Sequence, residues 1–173
     1  MSKLIYRAAQ FAKRCHTGQK RKYTKRPYIT HPAGCVGRIL LLSDTTDEDV
    51  AIMWLHDVIE DCGVWHAELE AEFGKVVADG VLELTNPSNK HPELKRHERK
   101  LMDLEHARGM SIKSKQKKMI DRIGNLYDIG DHDPSFAELY LYESARLLTV
   151  LKDAHEELAS EFRDAMEYLN ENL

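Results

Sequence analysis

A chain of 173 residues with 42% hydrophobic residues and a net charge of −4 suits one globular domain, a size that buries roughly 70% of the surface its unfolded form exposes. No run approaches the ~20 apolar residues of a transmembrane helix, and the N-terminal MSKLIYRAAQ lacks the apolar core of a signal peptide, so a soluble, cytoplasmic protein is expected. The acidic balance, with a sequence pI near 6.1, argues against a nucleic-acid partner, and Cys15, Cys35 and Cys62 lack C-x-x-C spacing and read as free, buried thiols.

Helical periodicity runs through the chain, and no segment alternates as a strand does. Leu4, Ala8, Phe11, Ala12 and Cys15 fall at core spacing, which predicts a first helix over Lys3 to Cys15. The next segment, Lys20 to Arg26, holds five basic residues in seven; positive charge concentrated in an acidic protein favours a compact anionic ligand over a long polyanion. His31-Pro32 opens a second helix to about Leu42, proline being tolerated in a first turn. After a turn over Ser43 to Thr46, a third helix runs from 47 to 61 and stops at Gly63.

Short helices follow over His66 to Phe73 and Lys75 to Leu84, then a loop over Thr85 to Asn89. Longer ones are predicted over Glu93 to Arg108, Ser111 to Ile129, Phe136 to Lys152 and His155 to Glu171. The expected fold is all-α, a single compact bundle of about eight to ten helices spanning residues 1–173, without repeats or an interdomain linker.

Two stretches carry more charge than packing explains. WLHDVIED, residues 54–61, sets His56, Asp57, Glu60 and Asp61 beside Val50, Ala51, Trp54, Leu55, Val58 and Ile59 on one predicted helix. Three carboxylates next to an imidazole are costly to desolvate and call for water, donors or a cation. Around residue 120, Lys118, Asp121, Asn125 and Asp128 form a polar stripe at the spacing normal for a buried face, beside an apolar face of Ile120, Ile123 and Tyr127. His31, His56, Asp57 and Asp121 together offer two imidazoles and two carboxylates, a mixed set suited to Mn²⁺, Fe²⁺ or Zn²⁺. A second His-Asp pair, in Asp131-His132-Asp133-Pro134, reads as an interhelix connection because turn residues surround it.

HTGQKRKYTKRPYITHP, WLHDVIED, FGKVVADGVLELT and KMIDRIGNLYDI together resemble the HD-domain metal-dependent phosphohydrolases, and more narrowly the hydrolase domain of RelA/SpoT proteins, especially the stand-alone small alarmone hydrolases and the metazoan SpoT homologue. The likeness runs from about Ala8 to Leu151. It implies an HD-domain fold and hydrolysis of the 3′-pyrophosphate of ppGpp or pppGpp to GDP or GTP plus pyrophosphate, usually with Mn²⁺. By position, His31, His56, Asp57 and Asp121 match the metal ligands, and Glu60 and Asp61 the acidic pair near the attacking water. Arg21, Lys22, Asn125 and Tyr140 match nucleotide contacts, as do Thr85 and Lys118. Gly124 and the inserted segment TNPSNKHPEL, residues 85–94, depart from the pattern and bear on base recognition. The chain ends soon after the last hydrolase-like helix, so a hydrolase without a synthetase domain is expected, with a homo-oligomer as a further expectation. Rival readings keep the site for another nucleotide, such as NADPH or a dNTP, or make the chain a non-enzymatic nucleotide or RNA binder that stacks bases on Tyr23 and Tyr28.

Overall fold

Ser2 is an N-cap, its hydroxyl accepting from the Ile5 amide at 3.3 Å, and α1 follows over Lys3–Cys15. The computed structural model describes residues 2–129 and 134–173; Asp131, His132 and Asp133, the predicted interhelix connection, lie outside them. Among the described residues every regular element is helical, with one isolated antiparallel bridge between Lys20 and Pro27. The chain folds as two compact units, the first ending at Thr85 and the second starting at Asn86.

The first unit comprises α1, α2 (Thr30–Ile39), α3 (Asp47–Leu55), α4 (Val58–Cys62), α5 (His66–Phe73) and α6 (Lys75–Leu84). At its centre α3 packs against α1, α2 and α6 and buries Val50, Ala51, Ile52, Met53 and Leu55. A helix apolar on nearly every side is a core helix. It starts on a capping box, in which the Thr46 hydroxyl accepts from the Asp49 amide and the Asp49 carboxylate accepts from the Thr46 amide.

In this unit two boundaries differ from the predicted ones for local reasons. α2 stops at Ile39 instead of Leu42, where the Thr45 hydroxyl donates to the Ile39 carbonyl at 2.6 Å and takes up a terminal acceptor. The predicted helix over 47–61 breaks: Leu55 ends α3, Asp57 at φ −100° and ψ −5° caps α4, and Gly63 closes α4 in the left-handed region at φ 69°. His56 and Asp57 therefore sit in a helix break, and Trp54 and Ile59 are only half-buried.

The second unit comprises a 3₁₀ turn (Pro87–Lys90), α7 (Arg96–Gly109), α8 (Ile112–Ile129), α9 (Pro134–Leu151), a second 3₁₀ turn (Lys152–Ala154) and α10 (Glu156–Glu171). α8 packs on α10 and α9, burying Met119, Ile120, Ile123 and Leu126 with Phe162 and Leu169. Tyr127 departs from the expected apolar face: it is exposed and lies against Tyr168, ring centroids 5.3 Å apart. α7 is tied to α9 by a two-pronged pair in which Arg96 donates to both Glu143 oxygens at 2.8 and 2.9 Å. No helix among the described residues is long and apolar enough to cross a membrane.

Candidate metal centre and active site

Three side chains from neighbouring parts of the first unit converge. α2 supplies His31, 7% exposed, and the break between α3 and α4 supplies His56, 4% exposed, with Asp57. His56 Nε2 lies 3.3 Å from His31 Nε2 and 3.1 Å from Asp57 Oδ2, and His31 Nε2 lies 3.8 Å from the same Asp57 oxygen.

The His56 tautomer follows from its other nitrogen. In the neutral imidazole Nδ1, 2.8 Å from the Met53 carbonyl, which can only accept, carries the proton and Nε2 presents a lone pair, the form in which histidine ligates a metal. The contact between His56 Nε2 and Asp57 Oδ2 is then acceptor against acceptor whichever tautomer His31 adopts. Such a meeting of lone pairs inside protein is unfavourable until a cation joins them. Ligands about 2.1 Å from one ion sit about 3.0–3.4 Å apart in tetrahedral or octahedral arrangements, a range that holds the two separations made by His56, 3.1 and 3.3 Å, while His31 and Asp57 stand wider at 3.8 Å. The donor set therefore fits a divalent metal.

Two supports hold this centre. The Tyr28 hydroxyl donates to Asp57 Oδ2 at 2.7 Å, an outer hydrogen bond that orients a ligating carboxylate. Cys35, one helical turn beyond His31, puts Sγ 3.9 and 4.0 Å from the two His31 ring nitrogens, and the donor atoms of His31, Cys35 and His56 all lie within 4.8 Å of one another. Sequence reasoning took Cys35 for packing; its i+4 offset from His31 was the available signal.

Glu60 is half-buried and Asp61 exposed on α4, just beyond Asp57. Asp61 Oδ2 accepts from Gln19 Nε2 at 2.8 Å. Burial, followed by the charges of Cys15, Asp61 and Asp57, pushes the neighbouring Cys62 thiol up to about 11, so it stays protonated near neutrality. The basic loop is a tight hairpin: the Arg21 amide donates to the Arg26 carbonyl and the Tyr28 amide to the Gln19 carbonyl, each at 2.9 Å. Arg21 is buried with its guanidinium 5.5 Å from the Tyr28 ring centroid, and Lys22 is exposed, its ammonium donating to the Tyr23 hydroxyl.

The remaining predicted positions divide. The Thr85 hydroxyl donates to the Val81 carbonyl at 2.9 Å and so serves the last turn of α6. On α8 in the second unit, Asn125 Nδ2 donates to Asp121 Oδ1 at 2.8 Å. Lys118 is buried and lines an open cleft of roughly 440 Å³ with Lys100, Asp103, Arg122, Glu143 and Arg146. Tyr140 on α9 lies beneath the Arg122 guanidinium, 4.4 Å from its ring centroid.

An all-α frame that brings two buried histidines and a half-buried aspartate together defines a helical domain with a possible metal site. The model for the HD domain matches residues 8–128. A guanosine-3′,5′-bis(diphosphate) 3′-pyrophosphohydrolase, MESH1, from Xenopus tropicalis is 40% identical over 131 residues, covering 73% of this chain and 69% of that one. A guanosine-3′,5′-bis(diphosphate) 3′-pyrophosphohydrolase from Vibrio cholerae is 37% identical over 125 residues, 69% of this chain but 17% of its own length. A solved structure described as a metazoan ortholog of SpoT that hydrolyzes ppGpp superposes with a TM-score of 0.83 at 22% identity, covering 97% of this chain and 96% of that one. The chain belongs to the HD-domain family, among the relatives of these 3′-pyrophosphohydrolases.

Proposed function

We propose that the chain is a metal-dependent hydrolase that removes the 3′-pyrophosphate of ppGpp and pppGpp, leaving GDP or GTP. The convergence of His31 Nε2, His56 Nε2 and Asp57 Oδ2 carries this reading, and the names of the similar 3′-pyrophosphohydrolases support the substrate. In this reading residues 1–173 serve as one HD-type domain, Asp121 is the fourth ligand, Mn²⁺ is the ion, and the enzyme works in the cytoplasm as a homo-oligomer.

When bound, such an ion lowers the pKa of water and screens phosphate charge. The protein side of the reaction is proton handling and positioning. Of the pair Glu60 and Asp61, one carboxylate accepts a proton from the attacking water while the other orients it, and the accepted proton is the one passed on to the leaving oxygen; the water oxygen bonds to the phosphorus on the ribose 3′ oxygen. The bond between that phosphorus and the 3′ oxygen breaks, and the 3′ oxygen takes up a proton. Gln19 holds one Asp61 oxygen in place for this task. Arg21 and Lys22 counter phosphate charge, and Thr85, Lys118, Asn125 and Tyr140 contact the nucleotide.

The test is incubation of metal-stripped protein with ppGpp, with and without Mn²⁺, resolving nucleotides and pyrophosphate. Mn²⁺-dependent release of GDP and pyrophosphate is expected. Turnover of NADPH or a dNTP in parallel tubes, with ppGpp untouched, would reassign the substrate and keep the centre.

A further inference from the structure

Beside the acidic pair stands a buried imidazole to which the proposed reaction gives no task. His16, the residue after α1, is 3% exposed, and its ring stacks on Tyr28 with centroids 4.7 Å apart and planes 28° from parallel. His16 Nδ1 lies 2.7 Å from Gln19 Oε1, and Gln19 Nε2 donates to Asp61 Oδ2 at 2.8 Å. The carboxylate at the far end needs a donor, so the Gln19 amide turns its nitrogen to Asp61 and its oxygen to His16. An amide oxygen only accepts, and therefore Nδ1 carries the imidazole proton.

The other face of this assignment is informative. With the proton on Nδ1, Nε2 is a buried atom that has no hydrogen-bond partner. Buried polar atoms are rarely left in that state because the desolvation is not returned. A ring held there despite the loss is held for what Nδ1 and the ring face provide. Cys62 Sγ, 3.4 Å from Nδ1, adds a soft contact on the same side. The stacked partner, Tyr28, is the residue whose hydroxyl donates to Asp57. One imidazole thus reaches both working carboxylates, Asp61 through Gln19 and Asp57 through Tyr28.

We propose that His16 is a positioning residue: its Nδ1–H fixes the Gln19 amide so that Asp61 is held in one orientation, while its ring steadies Tyr28 over Asp57. The proposal rests on the reading of Asp61 as one of the two carboxylates that serve the attacking water in hydrolysis. Without the Nδ1 donor the Gln19 amide is free to rotate by half a turn and to present oxygen to oxygen at Asp61.

Three variants and one spectrum test it. His16→Phe keeps the stacking ring and removes the donor, His16→Asn keeps a donor near the Nδ1 position, and Gln19→Leu cuts the relay. With ppGpp and Mn²⁺, His16→Phe is expected to lower kcat about 10- to 100-fold, with KM and bound Mn²⁺ unchanged. His16→Asn, which restores the donor without the stacked ring, should recover part of the loss, and His16→Phe with Gln19→Leu should be no slower than either alone. Long-range ¹H–¹⁵N NMR of the Mg²⁺-loaded wild type should show His16 protonated on Nδ1, with that proton exchanging faster in Gln19→Leu. An unchanged kcat in His16→Phe, an equal loss in His16→Asn, a parallel loss of bound metal, or an Nε2–H tautomer would each overturn the proposal. Wild type inactive on ppGpp would instead remove the substrate reading, and the NMR result would still decide the His16–Gln19 bond.

Discussion

Asp57 and Glu60 stand three residues apart, and the geometry gives them separable tasks. Asp57 Oδ2 meets both imidazoles and also receives the Tyr28 hydroxyl, so removing its carboxylate takes away the anionic member of the proposed ligand set and leaves the two imidazoles alone. Asp57→Ala is therefore expected to lose bound Mn²⁺ and turnover together. Glu60 lies on α4 past the break, half-buried, and serves the water instead of the ion in the proposed reaction. Glu60→Ala should retain metal and lose about 10²- to 10⁴-fold in kcat, the usual worth of a general base. Metal analysis of both proteins beside their rates checks the pair, and unchanged metal content in Asp57→Ala would remove the centre. That His31, His56 and Asp57 should meet was readable at the level of residue type, because ionisable groups set in an apolar run call for water, donors or a cation. The contributions of Tyr28 to Asp57 and of Cys35 to the surroundings of His31 were not, since both depend on how the chain turns between α1 and α2.

The helices carry the same lesson at the next scale. α1, α5 and α6 end where periodicity places them, at Lys3–Cys15, His66–Phe73 and Lys75–Leu84, because local signals agree with the 3.6-residue pattern: the Ser2 cap opens α1, Gly74 separates α5 from α6, and the Thr85 hydroxyl takes up a terminal carbonyl of α6. The pattern over 47–61 misleads because apolar side chains on both sides of a two-residue break still face the core: Val50, Ala51 and Leu55 before it and Val58 after it are all buried. Periodicity reports which residues are inside and is blind to φ and ψ at Asp57, yet the break is what sets His56 and Asp57 side by side with His31. That arrangement depends on α3 sitting tightly in its bed. Gly80 of α6 faces Ile52 so closely that a Cβ at this position would overlap the isoleucine side chain. Gly80→Ala gains about 1 kcal/mol of helix propensity and loses about 1–3 kcal/mol to overpacking. A net fall in stability is expected in urea titration; a rise would mean that Ile52 repacks without strain.

For the whole molecule, a metal that binds the folded chain and not the unfolded one must raise its stability. At a free ion concentration 100 times Kd the gain is about 2.7 kcal/mol, and a chain of this size moves about 2–4 °C in Tm per kcal/mol, so Mn²⁺ should raise the melting temperature by about 5–11 °C. Both tryptophans, Trp54 and Trp65, belong to the first unit, so tryptophan fluorescence follows the unit that holds His31, His56 and Asp57. Far-UV circular dichroism follows the helices of both units. If Asp121 on α8 completes the ligand set and residues 1–173 act as one domain, the two signals should rise together on adding Mn²⁺, and Asp57→Ala and Asp121→Ala should each abolish the shift. A rise confined to fluorescence, intact in Asp121→Ala, would limit the ion to the first unit and leave the polar stripe of α8 to the nucleotide alone.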